Sequence, residues 1–156
     1  MKSYTCTSLL PPRQKERVTK NPPISIAYGN WLNTMPWDYY CTFTTRYQLS
    51  KQAARRSMAR LQDIIKRQYM DIPEIFWVAE PFDTKYGCHL HALVQIKGKT
   101  PQTITHLKNA WQIASKGKGL KEYNNTTIKD YDPQKGGHFY VAKYLQRHNA
   151  DYDFYL

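Results

Sequence analysis

Acid is scarce in this chain. Twelve Asp and Glu stand against 23 Lys and Arg in 156 residues, a formal charge of +11 at neutral pH. Cysteine is scarcer: Cys6, Cys41 and Cys88 are odd in number and have no Cys-x-x-Cys spacing. That excludes a disulfide framework and fits a reducing compartment. No apolar run approaches membrane-spanning length, and Met1-Lys2-Ser3-Tyr4 leads straight into polar residues, so neither a spanning segment nor a signal peptide is expected. A Walker-type Gly-x-x-x-x-Gly-Lys-Thr/Ser is missing, and there are no internal repeats.

Aromatic residues, by contrast, are plentiful at 14%, with 13 Tyr and 4 Trp. Excess positive charge meets phosphates and planar rings meet unstacked bases, so the composition suits nucleic acid. The length suits one domain with a single core. Residues 1–36 are polar, basic and proline-rich, with Pro11-Pro12-Arg13 and Pro22-Pro23, and are expected to form an extended arm.

From there the pattern predicts strand, helix, strand, strand, helix, strand, helix. Tyr39 to Tyr47 is β-branched and aromatic, a first strand. Ser50 is a candidate N-cap for a helix to about Tyr69, with Met58, Leu61, Ile64 and Ile65 inward and Arg55, Arg56, Arg60, Lys66 and Arg67 on a solvated face. Ile75 to Glu80 is a mostly buried strand, joined by a short connection to an antiparallel neighbour, Gly87 to Ile96. A helix from about Pro101 to Ser115 has Ile104, Leu107, Trp111 and Ile113 apolar. A strand near Leu120 to Tyr131 and a helix from about His138 to His148 follow; the end, Asp151 to Leu156, is short and uncertain. The expected fold class is α+β: a central antiparallel sheet with its helices on one face, a ferredoxin-like or RRM-like sandwich whose other face is open.

The chemistry gathers on that open face. In the strand from Gly87, Leu90, Ala92, Val94 and Ile96 share one face, and His89, His91, Leu93 and Gln95 the other. Glu80 lies nine positions before His89 (89 minus 80), across the hairpin. One carboxylate beside two imidazoles makes a three-ligand set with vacancies, compatible with Mn²⁺ or Mg²⁺ and able to accept Zn²⁺ or Co²⁺. Gln95 lies on the same face, too far along to be a ligand. Downstream, Tyr140 and Tyr144 are i and i+4 on a helix, with Lys143 three after Tyr140 and Arg147 three after Tyr144. A phenol titrates near pH ~10, so attack at neutral pH needs a nearby cation or metal to favour the phenolate.

Taken together, Glu80, His89-Leu90-His91 and the tyrosine helix resemble the HUH endonucleases, and among them the rolling-circle replication initiators (Rep proteins). Phe43-Thr44-Thr45 resembles that family's first motif, His89-Leu90-His91 its second and Tyr140-Val141-Ala142-Lys143 its third. The two tyrosines also resemble the helix of the A proteins of single-stranded DNA phages. The resemblance covers roughly residues 37–148 and implies an HUH endonuclease domain over 37–156. Its implied reaction is metal-dependent attack by a tyrosine on single-stranded DNA at a replication origin. The product is a 5′-phosphotyrosine and a priming 3′-hydroxyl, and the step reverses to rejoin ends. The site would comprise Tyr140, Tyr144 and Lys143 as catalytic residues, Glu80, His89 and His91 as ligands of Mn²⁺ or Mg²⁺, and Phe43, Thr45, Arg46 and Arg147 against DNA. Tyr140 is preferred as nucleophile because Lys143 completes its Tyr-x-x-Lys. Without a Walker motif, either a host helicase unwinds the origin or the chain is an excised nuclease domain; a polymerase extends the 3′-end. The location implied is the bacterial cytoplasm for a phage or plasmid and the nucleus for a eukaryotic virus. Two alternatives stand beside this. In a one-tyrosine transposase of the same superfamily, Gln146 or His148 would complete the metal site and Glu80 would be idle. In a non-catalytic RRM-like binder, sheet aromatics would stack bases.

Overall fold

A computed structural model describes residues 23–69, 73–116, 126–147 and 150–155. Its order is α1 (Pro23–Leu32), β1 (Tyr39–Phe43), α2 (Lys51–Tyr69), β2 (Glu74–Pro81), β3 (Cys88–Gln95), α3 (Thr103–Ser115), β4 (Thr127–Asp130), α4 (Gly137–Ala142) and β5 (Asp151–Tyr155). Single 3₁₀ turns at Pro133–Lys135 and Lys143–Gln146 flank α4. The strands form one antiparallel sheet in the order β4-β1-β3-β2-β5. The fold is α+β, and no helix among the described residues is long and apolar enough to cross a membrane.

Strand periodicity divides the interior in two. Tyr39, Cys41 and Phe43 of β1, Ile75, Trp77 and Ala79 of β2, and Leu90, Ala92 and Val94 of β3 meet α2 and α3 in the larger core. The alternate residues Phe76, Val78 and Leu93 meet Leu32, Val141, Ala142 and Tyr144 in a smaller one. Helices therefore cover both faces of the sheet, not one as expected, because the apolar residues of the second face need cover too. Part of that cover comes from within the segment expected to be an extended arm: residues 23–32 are the helix α1. Proline in a first turn forfeits no helical hydrogen bond, so Pro23 opens a helix here. Gly29 lets α1 lie close on α4, since a Cβ there would stand 2.2 Å from Phe139 Cδ1. Residues 1–22 of the expected arm lie outside the described residues.

The Ser50 hydroxyl accepts the Ala53 amide at 3.2 Å, the N-cap that starts α2. Ala54, Met58, Leu61 and Ile65 face inward. Arg55 is not merely solvated: it bonds Asp151 and, at 2.7 Å, Asp153, tying α2 to β5. In α3, Ile113 is 66% exposed, a departure from its expected inward position. It follows Trp111 by two residues, half a turn off the face that Ile104, Leu107 and Trp111 share. Cys41 and Cys88 are buried free thiols; Cys6 lies outside the described residues.

Candidate metal centre and tyrosine helix

Register builds the site. Glu80 pairs directly with His89 across β2 and β3, while Val78 pairs with His91 and Thr42 of β1 with His91 on its other side. Directly opposed antiparallel residues share a face with their Cβ atoms ~5 Å apart, so one carboxylate reaches both imidazoles. Glu80 Oε2 lies 2.6 Å from His89 Nε2 and 2.5 Å from His91 Nε2. Donor atoms of the three residues all fall within 4.8 Å of one another, close enough for one ion to bind all three. The three residues expected as ligands are thus brought together, and the donor set, one oxygen and two ring nitrogens, suits a divalent cation.

The surroundings set the charge of Glu80 and His91. Burial alone would raise the Glu80 pKa, but hydrogen bonds from Tyr144, His91 and His89 outweigh it and lower it to about 2, so the carboxylate is ionised. Burial pushes His91 below the ordinary imidazole value, against the pull of Glu80, so its ring is neutral at neutral pH. The other ring nitrogen, Nδ1, lies 3.1 Å from the Tyr40 hydroxyl and 3.3 Å from Thr42 Oγ1. Hydroxyls can accept as well as donate, so they orient the ring in either tautomer, as partners of metal-bound histidines do. Tyr40 and Thr42 went unnoticed in the sequence; the available signal was the alternation of β1, which sets both opposite the core face of Cys41 and Phe43.

The tyrosines arrive from the covering helix. α4 ends at Ala142 and the chain tightens into a 3₁₀ turn over Lys143–Gln146, short of the expected helix to His148, which lies outside the described residues. The one-turn spacing survives. The Tyr144 hydroxyl bonds Glu80 Oε1, the Tyr140 hydroxyl lies 3.3 Å from Glu80 Oε2, and the two hydroxyls are 3.1 Å apart. Their settings differ. Tyr144 is 1% exposed, against 37% for Tyr140. Lys143 Nζ stands 3.7 Å from the centre of the Tyr140 ring and 4.7 Å from that of Tyr144, and the Arg147 guanidinium is 4.9 Å from the Tyr144 ring. Burial first, and then Glu80 hydrogen bonding, raise the Tyr144 pKa far above that of a free phenol; burial also raises that of Tyr140. Both are protonated at neutral pH.

The residues expected against DNA separate. Phe43 is fully buried and stacked on Trp111 at 4.8 Å, so its place there is corrected: it lies on the core face of β1, opposite Thr42. The Thr44 carbonyl accepts the Trp111 indole N–H at 2.8 Å, and the Thr45 hydroxyl donates to the Tyr47 carbonyl at 2.7 Å. Arg46 and Arg147 are exposed. Compared with protein-family models, with curated proteins and with solved structures, the chain has no significant match.

Proposed function

We propose that the protein is a metal-dependent endonuclease and strand-transferase of the HUH type, which nicks single-stranded DNA at a replication origin through a 5′-phosphotyrosine. One observation carries this reading: two phenols one turn apart, from α4 and the 3₁₀ turn that continues it, and two imidazoles from one strand converge on the same carboxylate, Glu80. A merely structural carboxylate has no need of four such partners, and a binding module has no need of a ligand set beside a tyrosine. The order β4-β1-β3-β2, with α2 and α3 as the crossovers, supports a ferredoxin-like core extended by α1, α4 and β5.

Glu80, His89 and His91 would hold Mn²⁺ or Mg²⁺, which when bound polarises the scissile phosphate and steadies the leaving oxygen. Tyr140 is the nucleophile: it is the more exposed of the two residues, with Lys143 above its ring to favour the phenolate. Its oxygen bonds phosphorus as the bond from phosphorus to the 3′-oxygen breaks; the phenol proton passes to solvent and the departing oxygen gains one. One ester replaces another, so the step runs backward when a 3′-hydroxyl returns. Tyr144, buried and bonded to Glu80, positions the carboxylate and its neighbour. Glu80 seated at both histidines favours the initiator over the transposase alternative, in which it is idle; Gln146 belongs to the 3₁₀ turn. Incubation of a labelled single-stranded oligonucleotide library with the protein and Mn²⁺ should give a covalent adduct that chelator prevents. No adduct under any metal would refute the reading.

A further inference from the structure

We propose that the cleft between the β2–β3 hairpin and the segment leading into α2 binds the single strand where it leaves the metal centre, with Tyr86 and Phe82 stacking on its bases and Lys85 and Arg46 meeting its phosphates. That the occupant is DNA rests on the nuclease reading; the cleft stands on its own geometry.

The cleft has two parts that share Phe82, Lys85 and Cys88. A narrow part of about 90 Å³ reaches His89 and is walled by Thr45, Arg46 and Gln48. A wider part of about 690 Å³ continues to Tyr86, Ser50 and Lys51. That volume falls within the ~300–1,000 Å³ of small-molecule sites. Phe82 meets the His89 ring edge-on at 5.2 Å, and Lys85 Nζ lies 4.3 Å from the centre of the Phe82 ring. A line of side chains thus runs from a metal ligand to the hairpin tip, where Tyr86 is 68% exposed.

Charge and shape fit a polyanion with free bases. Arg46, Lys51 and Lys85 line the cleft. Asp83, the carboxylate of the connection between β2 and β3, does not; it lies 3.9 Å from Arg147. An exposed ring beside cations stacks unpaired bases, whereas in a duplex the bases stack on each other. The walls are set in advance. Phe82 N–H donates to the Gly87 carbonyl and Cys88 N–H to the Leu49 carbonyl, both at 3.0 Å. At Gly87, φ is +108°, and a Cβ would lie 3.3 Å from Leu49 N, so glycine lets the hairpin close on the segment leading into α2.

The test is fluorescence anisotropy of the full chain with labelled oligo-dT of about 20 nucleotides, longer than the ~4–16 that one OB fold covers, in chelator so that nothing is cut. Tyr86→Ala should weaken binding about tenfold and Tyr86→Phe should leave it unchanged, since the ring does the stacking. Lys85→Ala should flatten the slope of log affinity against log salt by about 0.7, one phosphate contact. Thermal melting of Tyr86→Ala should match the parent, because the ring is exposed. Wild-type affinity in Tyr86→Ala, or equal loss in Tyr86→Phe, would overturn the proposal. The two readings fail separately: loss of affinity in Tyr86→Ala without any adduct in the parent keeps the cleft and removes the nuclease. An adduct with unaltered Tyr86→Ala binding does the reverse.

Discussion

Glu80 accepts hydrogen bonds from both histidines and both tyrosines, so it reports on the whole site. His91→Ala removes a candidate ligand from among fixed partners and should abolish Mn²⁺-dependent cleavage while single-strand binding persists; Glu80→Ala should raise the Mn²⁺ concentration required. Cleavage by His91→Ala at the parent rate would remove the metal centre from the account. At this scale, alternation made the histidines legible, and the distance to Glu80 along the chain fitted one hairpin. Phe43 was misplaced because neighbours in a sequence motif point to opposite faces of a strand. Tyr40 and Thr42 were missed because nothing local says which strand lies beside His91; that register is a long-range fact.

Among the elements, the β2–β3 hairpin and α2 with its cap followed from local pattern, and α1 and the break in α4 did not. α1 is held by the second face of the sheet, and its own apolar side chains Ile24, Ile26 and Trp31 are partly exposed, so periodicity alone gave no helix. The start of α4 carries its own pH signature. His138 is 2% exposed, with Nδ1 2.6 Å from the Tyr131 hydroxyl, and burial lowers its pKa below that of a free imidazole. The unfolded chain therefore takes up this proton first. The stabilisation is full above the unfolded pKa of ~6.5 and is lost as pH falls towards the folded value. Melting temperature should fall below that pH, and His138→Gln should show less of that fall. An identical pH profile in parent and variant would contradict the assignment of the proton to His138.

For the molecule as a whole, charge and topology do different work. A formal +11 says nothing about fold, yet it sets how binding answers to salt. With about five phosphates contacted, a fourfold rise in salt should weaken single-strand binding by about 100-fold through counterion release. Affinity flat over that range would mean that charge is not its source. The α+β class and the antiparallel sheet were legible because the hairpin strands, β1 and the core helices each had their own period; the edge strand β5, in an end left unassigned by the pattern, was not. The covering of the second face was not, since it depends on α1 and the tyrosine helix meeting across the chain. That covering is what brings Tyr140 to the candidate metal ligands, and the identity of the nucleophile tests it most directly. Peptide mapping of the DNA adduct formed with Mn²⁺ should find the phosphotyrosine at Tyr140, and the Tyr140→Phe, Tyr144→Phe double variant should form none. An adduct only at Tyr144 would reverse the roles of the two rings, and an adduct surviving in the double variant would contradict the account.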